Sequence, residues 1–250
     1  MSEPNALLSN EDRARIESLK RARESHLTVY LTLTSIVQGA VLAYLLSFIS
    51  QHGAAFGVIG WILTSVTFLL VVVTWNEYVM GVITFRWVPD LVDSAIPFLF
   101  GASEYLLINR LSDDLTRWVF AFIVFSSVSL LAFRNMYGKA RHEDGHNAIV
   151  LAALGGFVRA NSLLPAIGVL LSASFMVVTL LVGSCNSLTV VTAGVISVCA
   201  VGYTIRTWLY WRRFVTFARN VDNQLQLPFV SHEKLSGPAG EVATRLDADE

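Results

Sequence analysis

The chain has 250 residues and a net charge of −1; 54% of it is hydrophobic, only 15% is charged, and the mean hydropathy is +0.57. A soluble domain carries roughly 25% charged residues, so this composition excludes an ordinary water-soluble fold and predicts an all-α polytopic membrane protein. The net charge averages a basic rim with acidic tail residues, so it identifies no partner, and nothing in it points to nucleic acid.

In chain order, residues 1–25 form a basic cytoplasmic segment. Ser9 or Asn10 is placed to cap a helix, and Glu17 stands four residues before Arg21 and Lys20 four before Glu24, spacing that supports a solvated helix running into the first span. The segment is too long and too charged for the n-region of a cleaved signal, so an uncleaved anchor is expected.

About 20 apolar helical residues cover a hydrocarbon core of roughly 30 Å. Six stretches meet that requirement: 27–49, 56–78, 88–108, 115–133, 162–182 and 188–208. They predict a six-helix membrane domain over 26–220. Six spans place both termini on one side, and with both inside, sixteen of the 18 basic residues are cytoplasmic, leaving Arg110 and Arg117 outside. All six tryptophans fall near span ends, where an amphipathic indole sits well. The expected location is a bacterial inner membrane.

The third span, within "RWVPDLVDSAIPFLFGASEYLLINR", carries charge. At 100° per residue Arg86, Asp90, Asp93, Pro97, Gly101 and Glu104 share one stripe, with Asp93 and Glu104 about 16 Å apart along the axis. That spacing excludes a carboxylate pair sharing a proton. Asp90 is expected at the interface, and Asp93 and Glu104 in the core. A charged group at the centre of a membrane helix costs about 2.5–3.5 kcal/mol, so the stripe must face protein or water. Pro97 gives no backbone N–H and frees a carbonyl; Gly101 permits close approach. Two readings follow. In one, the stripe packs helices together, with Arg86 pairing Asp90 and the deeper acids accepting bonds from polar groups on adjacent helices: Thr32, Thr34, Ser35, Gln38 and Tyr44 on the first span, or Thr192, Ser197, Tyr203 and Thr204 on the sixth. In the other, Asp93 and Glu104 are successive stations for a small cation or proton. Arg206 is a second counter-ion for Asp90 or Asp93. Glu77, in "TWNEYVMG" at the inner end of the second span, is an interfacial residue able to reach Arg86.

After the fourth span, "NAIVLAALGGFV" is apolar but only 12 residues long, too short to cross. It predicts a short interfacial helix, followed by a new helix start at Asn161 or Ser162 with Pro165 in its first turn. A kinked extension of the fifth span is the alternative.

Just before it, His142, Glu143 and His146 spell H-E-x-x-H, which over those five residues resembles the zincin metalloprotease signature. Asp144 and Gly145 replace helix-forming residues, and no third ligand is evident. The expectation is a polar loop capping the next helix, with no metal and no enzyme. Cys185 and Cys199, about 21 Å apart along the chain, are not expected to pair.

The tail, 221–250, is rich in Pro, Gly and Ser and predicts disorder. No P-loop, dinucleotide fingerprint, nucleophile elbow or CxxC pair occurs, and no cofactor is implied. The functional expectation is a six-span protein, homo-oligomeric, that moves a small cation or proton through a path lined by the third span. The alternative is a membrane scaffold or signalling protein whose cytoplasmic helices bind a partner.

Overall fold

A computed structural model describes residues 10–87, 90–112, 114–142, 145–183 and 186–233. Among them there is no strand. Six α-helices follow one another: α1 Asn10–His52, α2 Val58–Thr84, α3 Leu91–Asn109, α4 Leu115–His142, α5 Gly145–Val182 and α6 Asn186–Glu233, with a single 3-10 turn, Gly53–Ala55, after α1. Each is long and apolar enough to cross a membrane, as an integral membrane protein requires. The chain divides into a unit ending at Trp208 and a second from Leu209 onward. Within the first, α1 packs against α2 and α3, α3 against α4, and α4 against α5.

These residues form helices for a reason specific to lipid. The α2 sequence contains "LLVVVT", β-branched residues that lose side-chain freedom in a helix and form it poorly in water. In hydrocarbon, every N–H and C=O must be satisfied within the segment, and that demand outweighs propensity. The same helix buries Leu63, Val66, Leu70, Val73, Glu77 and Met80, which recur at spacings of three and four.

The basic N-terminal segment and the first span form one helix, as the sequence predicts, and its solvated half carries the expected Glu17–Arg21 pair at 3.2 Å. Three elements differ from expectation. The third span begins at Leu91 rather than 88. The stretch expected as a separate interfacial helix is continuous with the fifth span in a single 38-residue α5, matching the alternative of a helical extension. There Asn161 is interior rather than a cap, because its side chain is fully buried among partners on other helices and Pro165 is accommodated inside the helix. Finally, α6 remains helical to Glu233, so 221–233, expected to be disordered, is helix; the rest of the tail and Cys185 lie outside the described residues.

Two glycines matter to this architecture. Gly183 ends α5 in the left-handed region at φ 83°, and its N–H returns to the Thr179 carbonyl at 3.0 Å. Gly101 lets α3 meet α1: a Cβ there would stand 2.6 Å from Val37 Cγ1, a β-branched group that is stiff at χ1. Gly101→Ala is therefore expected to cost about 1–3 kcal/mol in unfolding titrations, and the second change Val37→Ala to recover most of it.

Candidate functional site: three buried carboxylates

Three acids are buried between helices, each in its own polar cluster. The first surrounds the start of α3. Asp90 is the N-cap, with extended backbone, and its carboxylate accepts from Asp93 N at 3.1 Å while Asp93 Oδ2 accepts from Asp90 N at 2.9 Å. This is a reciprocal capping box, which satisfies two donors at the helix N-terminus. Asp93 also accepts from Asn135 Nδ2 at 2.8 Å and Trp87 Nε1 at 3.2 Å, and Lys139 Nζ bridges Asp90 at 2.7 Å and Asp93 at 2.8 Å. The Lys139 ammonium, hydrogen-bonded to it, holds the Asp90 carboxyl below its ordinary range.

Two expectations are corrected here. Asp93 lies in the first turn of α3 rather than mid-span, because the cap shifts the helix start to Leu91. The counter-ion is Lys139 of α4, not Arg86 or Arg206. Arg86 is instead held by its backbone: its N–H donates to Asn147 Oδ1 at 2.9 Å and its carbonyl accepts from Asn147 Nδ2 at 2.6 Å, tying the α2–α3 connection to α5.

The second cluster centres on Glu77, which is 1% exposed. It is thus a buried residue, not an interfacial one, and its cationic partner is Arg206, not Arg86. Its Oε2 accepts from Asn161 Nδ2 at 2.6 Å; its Oε1 accepts from Thr207 Oγ1 at 2.7 Å and stands 3.5 Å from Arg206 Nη1. Asn161 Nδ2 also donates to Tyr137 Oη at 2.8 Å. Arg206 donates to the Phe157 carbonyl and lies 5.8 Å from the ring centroids of Phe157 and Tyr203. One carboxylate on α2 therefore joins α4, α5 and α6.

The third acid is different. Glu104 is fully buried, and a single neutral group, Gln38 Nε2, donates to its two oxygens at 3.2 and 2.9 Å. It forms no salt bridge among the described residues, unlike Glu77 and Asp93. Gln38 is the one partner that the sequence placed correctly.

The interval between Asp93 and Glu104 is also polar. Tyr30, Thr34 and Gln38 recur every four residues on α1, so they share a face, and all are buried. The Tyr30 ring stacks on Tyr78 of α2 at 5.9 Å, and Tyr78 lies within Coulombic reach of both Asp93 and Glu104. Thr34 Oγ1 and Gln38 Oε1 are buried with no hydrogen-bond partner among the described residues, and Tyr78 is hydrogen-bonded to Tyr30. Such orphans are rare in folded proteins, and two on one seam mark a place for water. A cavity of about 10 Å³ lined by Tyr30, Tyr78, Trp87 and Asp93 is near the smallest that holds one water. Pro97, buried on the same helix, has no N–H for the Asp93 carbonyl, which leaves a further acceptor at the Asp93 end of the seam.

The H-E-x-x-H pattern does not assemble. His142 ends α4 and His146 lies in the first turn of α5, so the two imidazoles are not on one helix face as zinc binding needs; Glu143 lies outside the described residues. Among the described residues no three His, Cys, Asp or Glu side chains are grouped to hold a metal.

Sequence reasoning passed over Lys139, Asn135, Asn147 and Thr207. One signal was available: Asn135 and Lys139 are four apart, the spacing of one helix face, at the polar end of an otherwise apolar span. Compared with known protein families, curated proteins and solved structures, the chain matches none.

Proposed function

We propose that this is an inner-membrane protein with both termini cytoplasmic that moves a small cation, and that the cation is the proton. The observation that supports this reading is the seam between Asp93 and Glu104. A buried acid with no cationic partner among the described residues stands at one end, a paired acid at the other, and Thr34 and Gln38 have unused hydrogen-bonding capacity beside the Tyr30–Tyr78 hydroxyls. A proton needs only a chain of donors and acceptors, which hydroxyls, an amide and one or two waters supply; a hydrated metal ion needs a wider passage. Asp93, held by Lys139, Asn135 and Trp87, is the entry station, and Glu104 is the group that takes up and releases the proton. A carboxyl at 104 that carries a proton can donate to Gln38 Oε1, the atom otherwise left without a partner.

The chain acts as a homo-oligomer in this reading, with the exposed apolar side chains of α5 and α6, such as Leu170, Val191 and Val198, facing lipid or a second copy. The competing scaffold reading draws on the exposed, charged first half of α1, where Arg15, Lys20 and Arg21 face outward.

The experiment is dissipation of an imposed pH gradient by liposomes containing the protein. Wild type is expected to collapse it faster than empty vesicles, and Gln38→Leu, which removes the amide beside Glu104, to slow the collapse about tenfold or more. Unchanged flux in Gln38→Leu, in protein shown to be folded, would count against a path along this seam.

A further inference from the structure

One helical turn from the Glu77 cluster, on all four of its helices, lies a residue that lines a large cavity. Thr74 precedes Glu77 by three on α2, Phe133 precedes Tyr137 by four on α4, Pro165 follows Asn161 by four on α5, and Tyr203 precedes Arg206 by three on α6. The polar cluster therefore lies one turn beyond one end of a cavity of about 250 Å³ whose walls are mostly apolar. An apolar cavity of about 150 Å³ holds a benzene molecule, so in proportion this one holds about ten non-hydrogen atoms.

The cluster has acceptors to spare. Asn161 is fully buried, and its amide nitrogen faces Glu77 and Tyr137, which fixes the orientation of the side chain; its Oδ1 has no partner. Pro165 has no N–H to offer the Asn161 carbonyl. Charge is already balanced there by Glu77 and Arg206.

We infer that this cavity binds a neutral single-chain amphiphile, with its hydrocarbon among the cavity phenylalanines and a hydroxyl head donating to Asn161. An apolar wall with a few placed polar groups at one end is the ordinary construction of a small-molecule site. A charged head is disfavoured because the only charges present are already paired, and a pure hydrocarbon leaves Asn161 Oδ1 unsatisfied. The inference is independent of proton movement along α3.

The test uses the full chain in lipid vesicles, photolabelled with a diazirine-bearing octanol and mapped by mass spectrometry. Adducts are expected to concentrate on wall residues such as Ser172, Cys199 and Tyr203. 1-Octanol should protect them at roughly fivefold lower membrane mole fraction than octyl methyl ether, which has the chain but no donor. Ser172→Phe, which fills the cavity, should reduce labelling about fivefold, with Thr192→Leu as a milder filling if Ser172→Phe does not fold. Labelling spread evenly over lipid-facing side chains of α5 and α6, or equal protection by the ether, would overturn the assignment.

Discussion

Glu77→Ala is expected to destabilise the protein more than any other single side-chain truncation, by about 3–5 kcal/mol. The carboxylate is 1% exposed and is the shared acceptor for Asn161, Thr207 and Arg206. Its loss leaves a guanidinium inside the protein with no paired anion, the Thr207 hydroxyl without its acceptor and the Asn161 amide with Tyr137 alone. The size of the effect comes from the stranded charge rather than from the worth of the pair, since neutral interhelical hydrogen bonds in a membrane average only about 0.6 kcal/mol. The double variant Glu77→Met, Arg206→Met should therefore recover most of the loss, because it removes both charges and keeps the volume. Unfolding titrations in mixed micelles measure both. If the double variant is no better than Glu77→Ala, the cluster acts through its exact hydrogen-bond pattern and not through charge balance.

Lys139→Met is the second large effect, about 2–3 kcal/mol. Lys139 is 20% exposed and bridges two carboxylates, one of them 4% exposed and the other half-exposed. Without the ammonium, Asp93 keeps Asn135, Trp87 and the Asp90 N–H but loses the one cation that pairs with it among the described residues. The estimate is below that for Glu77 because water reaches Asp90 and screens part of the change. Asp90→Asn, by contrast, should cost under about 1 kcal/mol: an amide oxygen still caps α3, and the pair it gives up with Lys139 is the exposed one. An equal cost for the two variants would mean that Asp90, not Asp93, is the partner that Lys139 serves.

How much of this was legible in the sequence depended on whether the signal was local. Span number and approximate position follow from runs of apolar residues, and α1 continuing through "KRARESHLTVY" follows from unbroken helical spacing. The start of α3 was misplaced because hydropathy ignores caps; Asp90 followed three residues later by Asp93 was itself the marker. Of the stripe, Asp93, Pro97 and Glu104 are buried on α3, but Asp90 caps the helix from outside and Arg86 lies in the connection before it. The stripe's partners were not assigned correctly, apart from Gln38. Lys139 and Asp93 are 46 residues apart, Thr207 and Glu77 are 130 apart, and no periodicity within a helix reports which face meets which. Asn161 shows the same limit in another form. Asn before Pro165 looks like a helix start, yet here burial against Glu77 outweighs the local preference and the helix runs through both.

Glu104 is the buried acid with a neutral partner and no salt bridge among the described residues. Proton flux into liposomes should be measured for wild type and Glu104→Gln at equal protein content and with matched unfolding midpoints. The glutamine keeps the shape and a hydrogen bond to Gln38 but cannot exchange a proton, so flux should fall by at least about tenfold, to the level of empty vesicles. Wild-type and Glu104→Gln vesicles collapsing the gradient at the same rate would contradict the account.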